Sequence, residues 1–270
     1  MTNRGRGPGR FVGRFEGKAE AYSKYRPRYP DGILRRLKER IGFGQEWVVA
    51  DIGSGTGILS ELFLRNGNSV YCIEPNGDMR RAAEKGLGRY GKKFVSIDGT
   101  AEDTGLASSS VDLVTVGQAL HWFDAERARA EFGRVLVRDG YVAVVYNYRR
   151  ERGRVEEAYA RLVKEFGKAA EVPEVDDDYV AGILSRGKVE KFVMPNSQRL
   201  DVQGVLGRLA SASYMPKSNS SKWAGIAEEV GRIVHEYGHD GGVVLHYVTT
   251  LRLGRVPQDQ CRQSRRGHLM

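Results

Sequence analysis

Three glycines at every second position follow an aspartate in the run Asp51-Ile52-Gly53-Ser54-Gly55-Thr56-Gly57. Glycine lets a backbone turn tightly and lets a ligand come close to its amides. A dinucleotide-binding loop spaces its glycines as GxGxxG, the third admitting the helix that carries the pyrophosphate. Here that third position is Ile58. Asp51 would also repel a diphosphate, so the loop suits a ligand that carries an ammonium group or lacks phosphate. Glu74, at the end of the next apolar run, supplies a second carboxylate. A carboxylate there can accept hydrogen bonds from both ribose hydroxyls and requires a free 2′-OH. Buried without such a partner it would be costly. Pro75 and Asn76 follow it and are placed to flank a base. The pattern describes a phosphate-free ribonucleoside.

A competing pattern is His235-Glu236-Tyr237-Gly238-His239, which matches the HExxH arrangement of zinc proteases. Zinc binding needs both histidines on one continuous helical turn and a third ligand. Gly238 lies inside the motif and Asp240-Gly241-Gly242 follows it, which reads as a fraying helix end. No metal is expected. Cys72 sits in an apolar run and Cys261 in a polar tail, a pattern of free thiols in a reducing compartment.

The elements around these residues alternate. Apolar runs at 47–52, 69–74, 94–98, 111–117 and 141–146 read as strands. Between them, helical patterns occupy 58–64 and a segment capped by Asn76 that passes through Ala82 and Ala83. Another opens at Asp124, carries Ala128, Phe132, Val135 and Leu136, and closes at Gly140. Ile33, Leu34, Leu37 and Ile41 give an earlier helix over 30–42. Continuous apolar strands in βαβα order predict a doubly wound, mostly parallel sheet. After Tyr148 the rhythm changes: a helix over 153–167, an acidic stretch at 174–178, a strand at 189–200, helices near 202–209 and 223–234, and a closing strand at 243–256.

The chain has 270 residues, 40% hydrophobic and 29% charged, enough for one large α/β domain. No apolar run approaches the roughly 20 residues that span a bilayer. The Gly- and Arg-rich start lacks a secretory h-region, and a cytoplasmic protein is expected. Net charge is +9, but residues 1–40 hold twelve Lys/Arg against four Asp/Glu, and the body beyond them is nearly neutral. The expected organisation is a disordered basic tail at 1–14, a catalytic domain over 15–256 whose residues 150–240 carry a cap or insertion, and a polar tail at 257–270.

Three segments, DIGSGTG at 51–57, CIEPN at 72–76 and IDGTAED at 97–103, resemble the class I S-adenosylmethionine-dependent methyltransferases. YSKYRPRYP at 22–30, GQALHWFD at 117–124 and SASY at 211–214 extend the resemblance to the small-molecule (type 11) group that includes trans-aconitate methyltransferases. The resemblance covers residues 15–150 firmly and the last third loosely. It implies a Rossmann-like seven-stranded fold with helical additions at the N-terminus and after strand five. It also implies that S-adenosylmethionine is bound and S-adenosylhomocysteine released, with no metal. Asp51, Gly53, Ser54 and Gly55 would line the methionine moiety, Glu74 and Pro75 the ribose and base, and Thr100 and Ala101 the adenine. Gln118 would face the methionine amino group, with Tyr22 and Arg26 closing the pocket near the carboxylate end. His121 and Trp122 would lie where the sulfonium methyl points and shape the acceptor pocket, with His121 as the candidate catalytic residue.

The function expected is methyl transfer to a small molecule by in-line displacement, with carboxylic acids as the leading acceptor class. An anionic acceptor needs no base, and orientation then carries most of the catalysis. The alternative is an RNA methyltransferase using the basic arm. The near-neutral body disfavours it, as does the absence of a Pro-Pro dipeptide after strand four or a Pro-Cys nucleophile. A cofactor-binding protein without catalysis is the third possibility. Oligomeric state is not legible in the sequence.

Overall fold

The computed structural model describes residues 17–168, 175, 177–184 and 189–256. Its two tails and part of the acidic stretch fall outside the described residues. The expected strands form one seven-stranded sheet ordered β3-β2-β1-β4-β5-β7-β6. β1 (Val48–Ile52), β2 (Ser69–Ile73), β3 (Phe94–Ile97), β4 (Val111–Gly117) and β5 (Leu136–Arg149) run parallel. β7 (Gly242–Gly254) runs antiparallel to both β5 and β6 (Glu190–Asp201). The strand order reverses between β1 and β4, so their carboxyl ends open a crevice of the kind in which α/β sheets bind ligands.

Strand residues alternate between two apolar layers. On one face Ile52, Val114, Val116 and Val144 pack with Ala128, Phe132 and Val135 of α5 (Ala125–Val135) and with Val180 and Ile183 of α7 (Asp177–Ile183). On the other, Val49, Cys72, Leu113 and Val145 meet Ile33 and Leu37 of α2 (Gly32–Ile41) and Leu59, Leu62 and Phe63 of α3 (Ile58–Asn66). α4 (Gly77–Leu87) joins β2 to β3 and begins where the Asn76 side chain accepts a hydrogen bond from the Met79 amide.

A third core lies beyond the parallel strands. α6 (Arg154–Phe166), α8 (Val202–Ala210) and α9 (Trp223–Tyr237) bury Tyr159, Leu162, Val205, Leu209, Ile226 and Val230 against Val243, Leu245 and Tyr247 of β7. α1 (Ala19–Tyr25) leans on α8. A Cβ on Gly207 would sit 2.2 Å from the Tyr25 ring, so only glycine permits this approach.

Two elements differ from the sequence expectation. The helix opened by Asp124 ends at Val135, not Gly140, because Leu136 enters β5 and pairs with Val111. A bulge follows, and Asp139 turns the chain at φ 66°. Leu136 is buried, which an amphipathic pattern cannot distinguish from a helix face. α7 was hidden in the acidic stretch, whose Asp177 and Asp178 form its first turn.

Candidate functional site

Each strand of the crevice delivers one polar group to its carboxyl end. β1 delivers Asp51, which is 1% exposed. Thr115 of β4 is its register neighbour and donates to Oδ1 at 3.0 Å, while Ser60 of α3 donates to Oδ2 at 2.5 Å. Burial pushes the Asp51 carboxyl from 3.8 up to about 6, against the pull of those hydroxyls. A cation brought to this carboxylate would restore its charge.

The loop after β1 turns through positive φ at Gly53, Gly55 and Gly57. A Cβ at Gly53 would lie 2.7 Å from that of Ala119, so the loop is closed against the residues after β4. The Ser54 Oγ is buried without a protein partner. From β2 comes Glu74. Its Oε2 accepts from the Gly55 amide at 2.9 Å and its Oε1 from the Asn76 amide at 2.8 Å. Burial raises its pKa, opposed by these two amides. The carboxylate is thus fixed in orientation, with lone pairs left for further donors.

After β4 the chain takes an unusual step at Gln118, whose φ is 56°. Its side chain grips Asn147 of β5 from both sides, Nε2 donating to the carbonyl at 3.2 Å and Oε1 accepting from the amide at 3.1 Å. Those bonds hold a left-handed conformation that a non-glycine residue otherwise avoids.

These groups surround two adjoining cavities. The larger, about 840 Å³ out to its solvent mouth, is lined by Tyr22, Gly53, Gly55, Glu74, Pro75, Thr100, Ala101, Gln118 and Trp122 among the expected residues. The smaller is lined by Tyr22, Arg26, Asp51, Gly53, Ser54, Gly55 and Gln118. Every expected site residue except His121 therefore borders a cavity. His121 is 7% exposed and sits behind the wall. Its Nδ1 lies 3.0 Å from the Tyr146 hydroxyl and its ring centre 4.3 Å from that of Trp122.

Several further residues line the cavities. Met79, Ala119 and Phe123 add apolar wall to the larger cavity, and Glu102 lines it too, its Oε1 accepting from the Asp124 amide at 2.8 Å. Glu102 stands inside the quoted segment IDGTAED, so its position was available from that motif. Asn147 and Arg208 border the smaller cavity from elements with no local signature.

The HExxH pattern does not form a metal site. α9 ends at Tyr237, Gly238 is extended, and His239 belongs to the following turn. Among the described residues, no group of three or more His, Cys, Asp or Glu could hold a metal. None of the described helices is long and apolar enough to cross a membrane.

Comparison with known proteins agrees with this geometry. Residues 50–144 match the model of a methyltransferase domain family. An uncharacterised methyltransferase of Mycobacterium tuberculosis is 29% identical over 240 residues, covering 85% of this chain and 90% of that protein. A Saccharomyces cerevisiae protein provisionally named an S-adenosylmethionine-dependent methyltransferase is 30% identical over 125 residues, 45% of this chain and 43% of the other. A solved chain from Anaeromyxobacter dehalogenans, provisionally a type II methyltransferase, has the same fold, with TM-score 0.66 at 23% identity over 87% of this chain and 99% of its own. A two-carboxylate, glycine-looped crevice on this sheet order, with the family match over residues 50–144, gives the chain a methyltransferase domain of the S-adenosylmethionine-dependent kind.

Proposed function

We propose that the protein transfers a methyl group from S-adenosylmethionine to a small anionic molecule, with carboxylic acids as the leading class. The observation that carries the cofactor half is Glu74, held by the Gly55 and Asn76 amides in the wall of the larger cavity. Its fixed carboxylate suits a ribose diol. Asp51 suits the ammonium of the amino-acid end, and the buried, unpartnered Ser54 hydroxyl lies in the same wall. Met79, Ala101 and Phe123 offer the apolar surface that an adenine ring needs. Two carboxylates at one loop are unsuited to a diphosphate, so the residues fit this cofactor and disfavour a dinucleotide.

The bound cofactor supplies an electrophilic methyl group. The chain's part is to hold the reacting partners in line and keep water away. In this reading Thr100 and Ala101 border the base, and Gln118 meets the ammonium through its backbone carbonyl. Trp122 borders the acceptor space, and His121 acts through Trp122 and Tyr146 as a positioning residue. Support for an anionic acceptor comes from the α1–α8 seam, where Lys18, Arg26 and Lys217 crowd one another enough to lower the Lys18 pKa, after burial itself.

Titration calorimetry with S-adenosylhomocysteine tests the cofactor half, and no binding would end it. A screen of acceptors with labelled methyl donor, led by carboxylic acids, tests the other half. Transfer to RNA and to no small molecule would reverse the assignment.

A further inference from the structure

Among the described residues two arginines are almost fully buried, and their surroundings differ. Arg252, 4% exposed, donates from Nε to Asp177 at 2.5 Å and from Nη1 to Thr250 at 3.1 Å. A carboxylate thus balances its charge. Arg208, 7% exposed, lies on α8, and its Nε and Nη1 are buried with no hydrogen-bond partner among the described residues. The Tyr247 hydroxyl is its side-chain partner. No carboxylate forms an ion pair with it among the described residues. A buried guanidinium with unmet donors is costly, and native proteins leave such groups chiefly where something else completes them.

Arg208 borders a cavity. Arg208 lines the smaller space together with Arg26, Tyr29, Asn147 and the Asp51–Gly55 loop. Arg26 enters from the other side of the seam and is also without an acidic partner among the described residues. Its Nε donates to the Ser211 hydroxyl and its Nη2 to the Ser211 carbonyl, both at 3.0 Å, and its guanidinium stacks 4.6 Å from the Tyr22 ring centre. Ser211 in turn donates to the Arg208 carbonyl at 2.7 Å, so one serine ties the two arginines into a single frame. α8 is held at its start by Asp201, which caps the Gly204 amide at 2.7 Å. Two cations therefore border one cavity, held by neutral hydrogen-bond partners, and two buried N–H donors of one are unmet among the described residues.

We propose that Arg208, paired with Arg26, forms a buried receptor for a carboxylate at the end of the cleft beside the Asp51 loop. A buried guanidinium with unmet N–H donors suits a carboxylate, and an anion there would offset two cations held without an acidic partner among the described residues. This inference rests on the proposed function, which supplies two carboxylates: that of the cofactor's amino-acid end and that of the acceptor. The site would take either, and the two sources separate by experiment.

The test titrates wild type, R208M and R208K with S-adenosylhomocysteine and with 5′-methylthioadenosine, which keeps the adenosine and lacks the amino-acid end. If the cofactor's carboxylate occupies the site, R208M weakens S-adenosylhomocysteine by 30-fold or more and methylthioadenosine by less than twofold. R208K recovers part of the loss. If the acceptor's carboxylate occupies it, both nucleosides bind R208M as they bind wild type. Acetate, succinate or tricarballylate then binds the S-adenosylhomocysteine complex of wild type and not that of R208M. Methylthioadenosine binding certifies the fold of each variant. Should R208M not fold, R208K carries the same comparison, with a loss of about tenfold expected because one ammonium replaces a planar guanidinium with more donors. Unchanged S-adenosylhomocysteine affinity, together with no difference between the proteins toward the three carboxylates, overturns the receptor. A wild type that binds neither nucleoside rejects the cofactor assignment instead. The carboxylates are then titrated against the free protein, where equality of wild type and R208M overturns the receptor.

Discussion

The two ends of the cleft are built differently. At the β1–β2 end, Asp51 and Glu74 are carboxylates whose oxygens already accept two hydrogen bonds each from the protein's own hydroxyls and amides. At the α1–α8 end, Arg26 leans on one neutral serine and Arg208 leaves two donors unmet. One end is preorganised for a cation and a diol before any ligand arrives. The other stays electrostatically incomplete until an anion enters. The acidic end should therefore lose binding when altered and gain stability or keep it, while the α1–α8 end should depend on how closely its two helices meet.

The largest effect is expected at Glu74. Glu74→Gln places an amide N–H against either the Gly55 or the Asn76 amide and removes the charge offered to the ribose. Loss of charged hydrogen bonds worth about 3 kcal/mol corresponds to roughly 100-fold weaker S-adenosylhomocysteine binding. Calorimetry reads it directly. A change of less than threefold would mean that the diol is held elsewhere and that the acidic end is not the preorganised one.

Asp51 comes next and carries a pH signature. Its carboxyl titrates near 6 in the free protein, raised first by burial. Ammonium binding needs the charged form, so cofactor affinity should fall as pH drops through about 6 and level off above it. Stability runs the other way. The unfolded carboxyl holds its proton less tightly than the folded one, so between about pH 4 and 6 the free protein loses stability as pH rises. Asp51→Asn removes that loss. It should raise the melting temperature of the free protein above pH 6, by up to the equivalent of about 3 kcal/mol, and leave it unchanged at pH 4. Affinity should fall tens-fold at pH 7.5. A variant less stable than wild type at pH 7.5 would show that the charge is not strained.

At the other end, Gly207→Ala is the sharpest structural probe. The added Cβ falls 2.2 Å from the Tyr25 ring and must push α1 away from α8. Alanine is the better helix former by about 1 kcal/mol, which offsets part of that cost. The net melting shift should be small while cofactor affinity drops about three- to tenfold, because Tyr22 and Arg26 ride on the displaced segment. Adding Tyr25→Ala removes the clash, so the two substitutions should be strongly non-additive in a double-mutant cycle. Additivity would mean that the seam does not position the cavity wall.

What the sequence disclosed follows the same division. Asp51 and Glu74 were legible because their roles are local: each ends a strand, and the glycine spacing between them restricts the ligand. The five parallel strands were legible from their apolar runs and β7 from its alternation, and β6 was placed as well; the largest displacement is the start of β5, where buried Leu136 fits a helix face as well as a strand. Arg208 was not legible. It is one arginine in an ordinary amphipathic helix, and its meaning depends on burial, on Ser211 and on an α1 segment some 180 positions away, with which it shares no pattern. The same holds for Asn147, which acquires its place through Gln118, Thr249 of β7, Asn196 of β6 and the Arg28 carbonyl.

No larger effect is expected at His121, and it decides between two kinds of catalysis. A general base must reach the proton it takes within about 3 Å or through one water. His121 borders neither cavity. Its Nδ1 is engaged with the Tyr146 hydroxyl, and burial raises the pKa of that tyrosine, so it stays a neutral partner. His121→Phe keeps a ring against Trp122 and gives up the hydrogen bond. With an acceptor found in the screen, kcat should fall about three- to tenfold, cofactor affinity should hold, and the shape of the pH profile should not change. Loss of a base would instead cost about 100-fold or more and erase the acidic limb of the profile. That result would bring proton transfer to the acceptor into the mechanism and weaken the case for an acceptor that arrives already charged, the same case on which the acceptor arm of the Arg208 proposal depends.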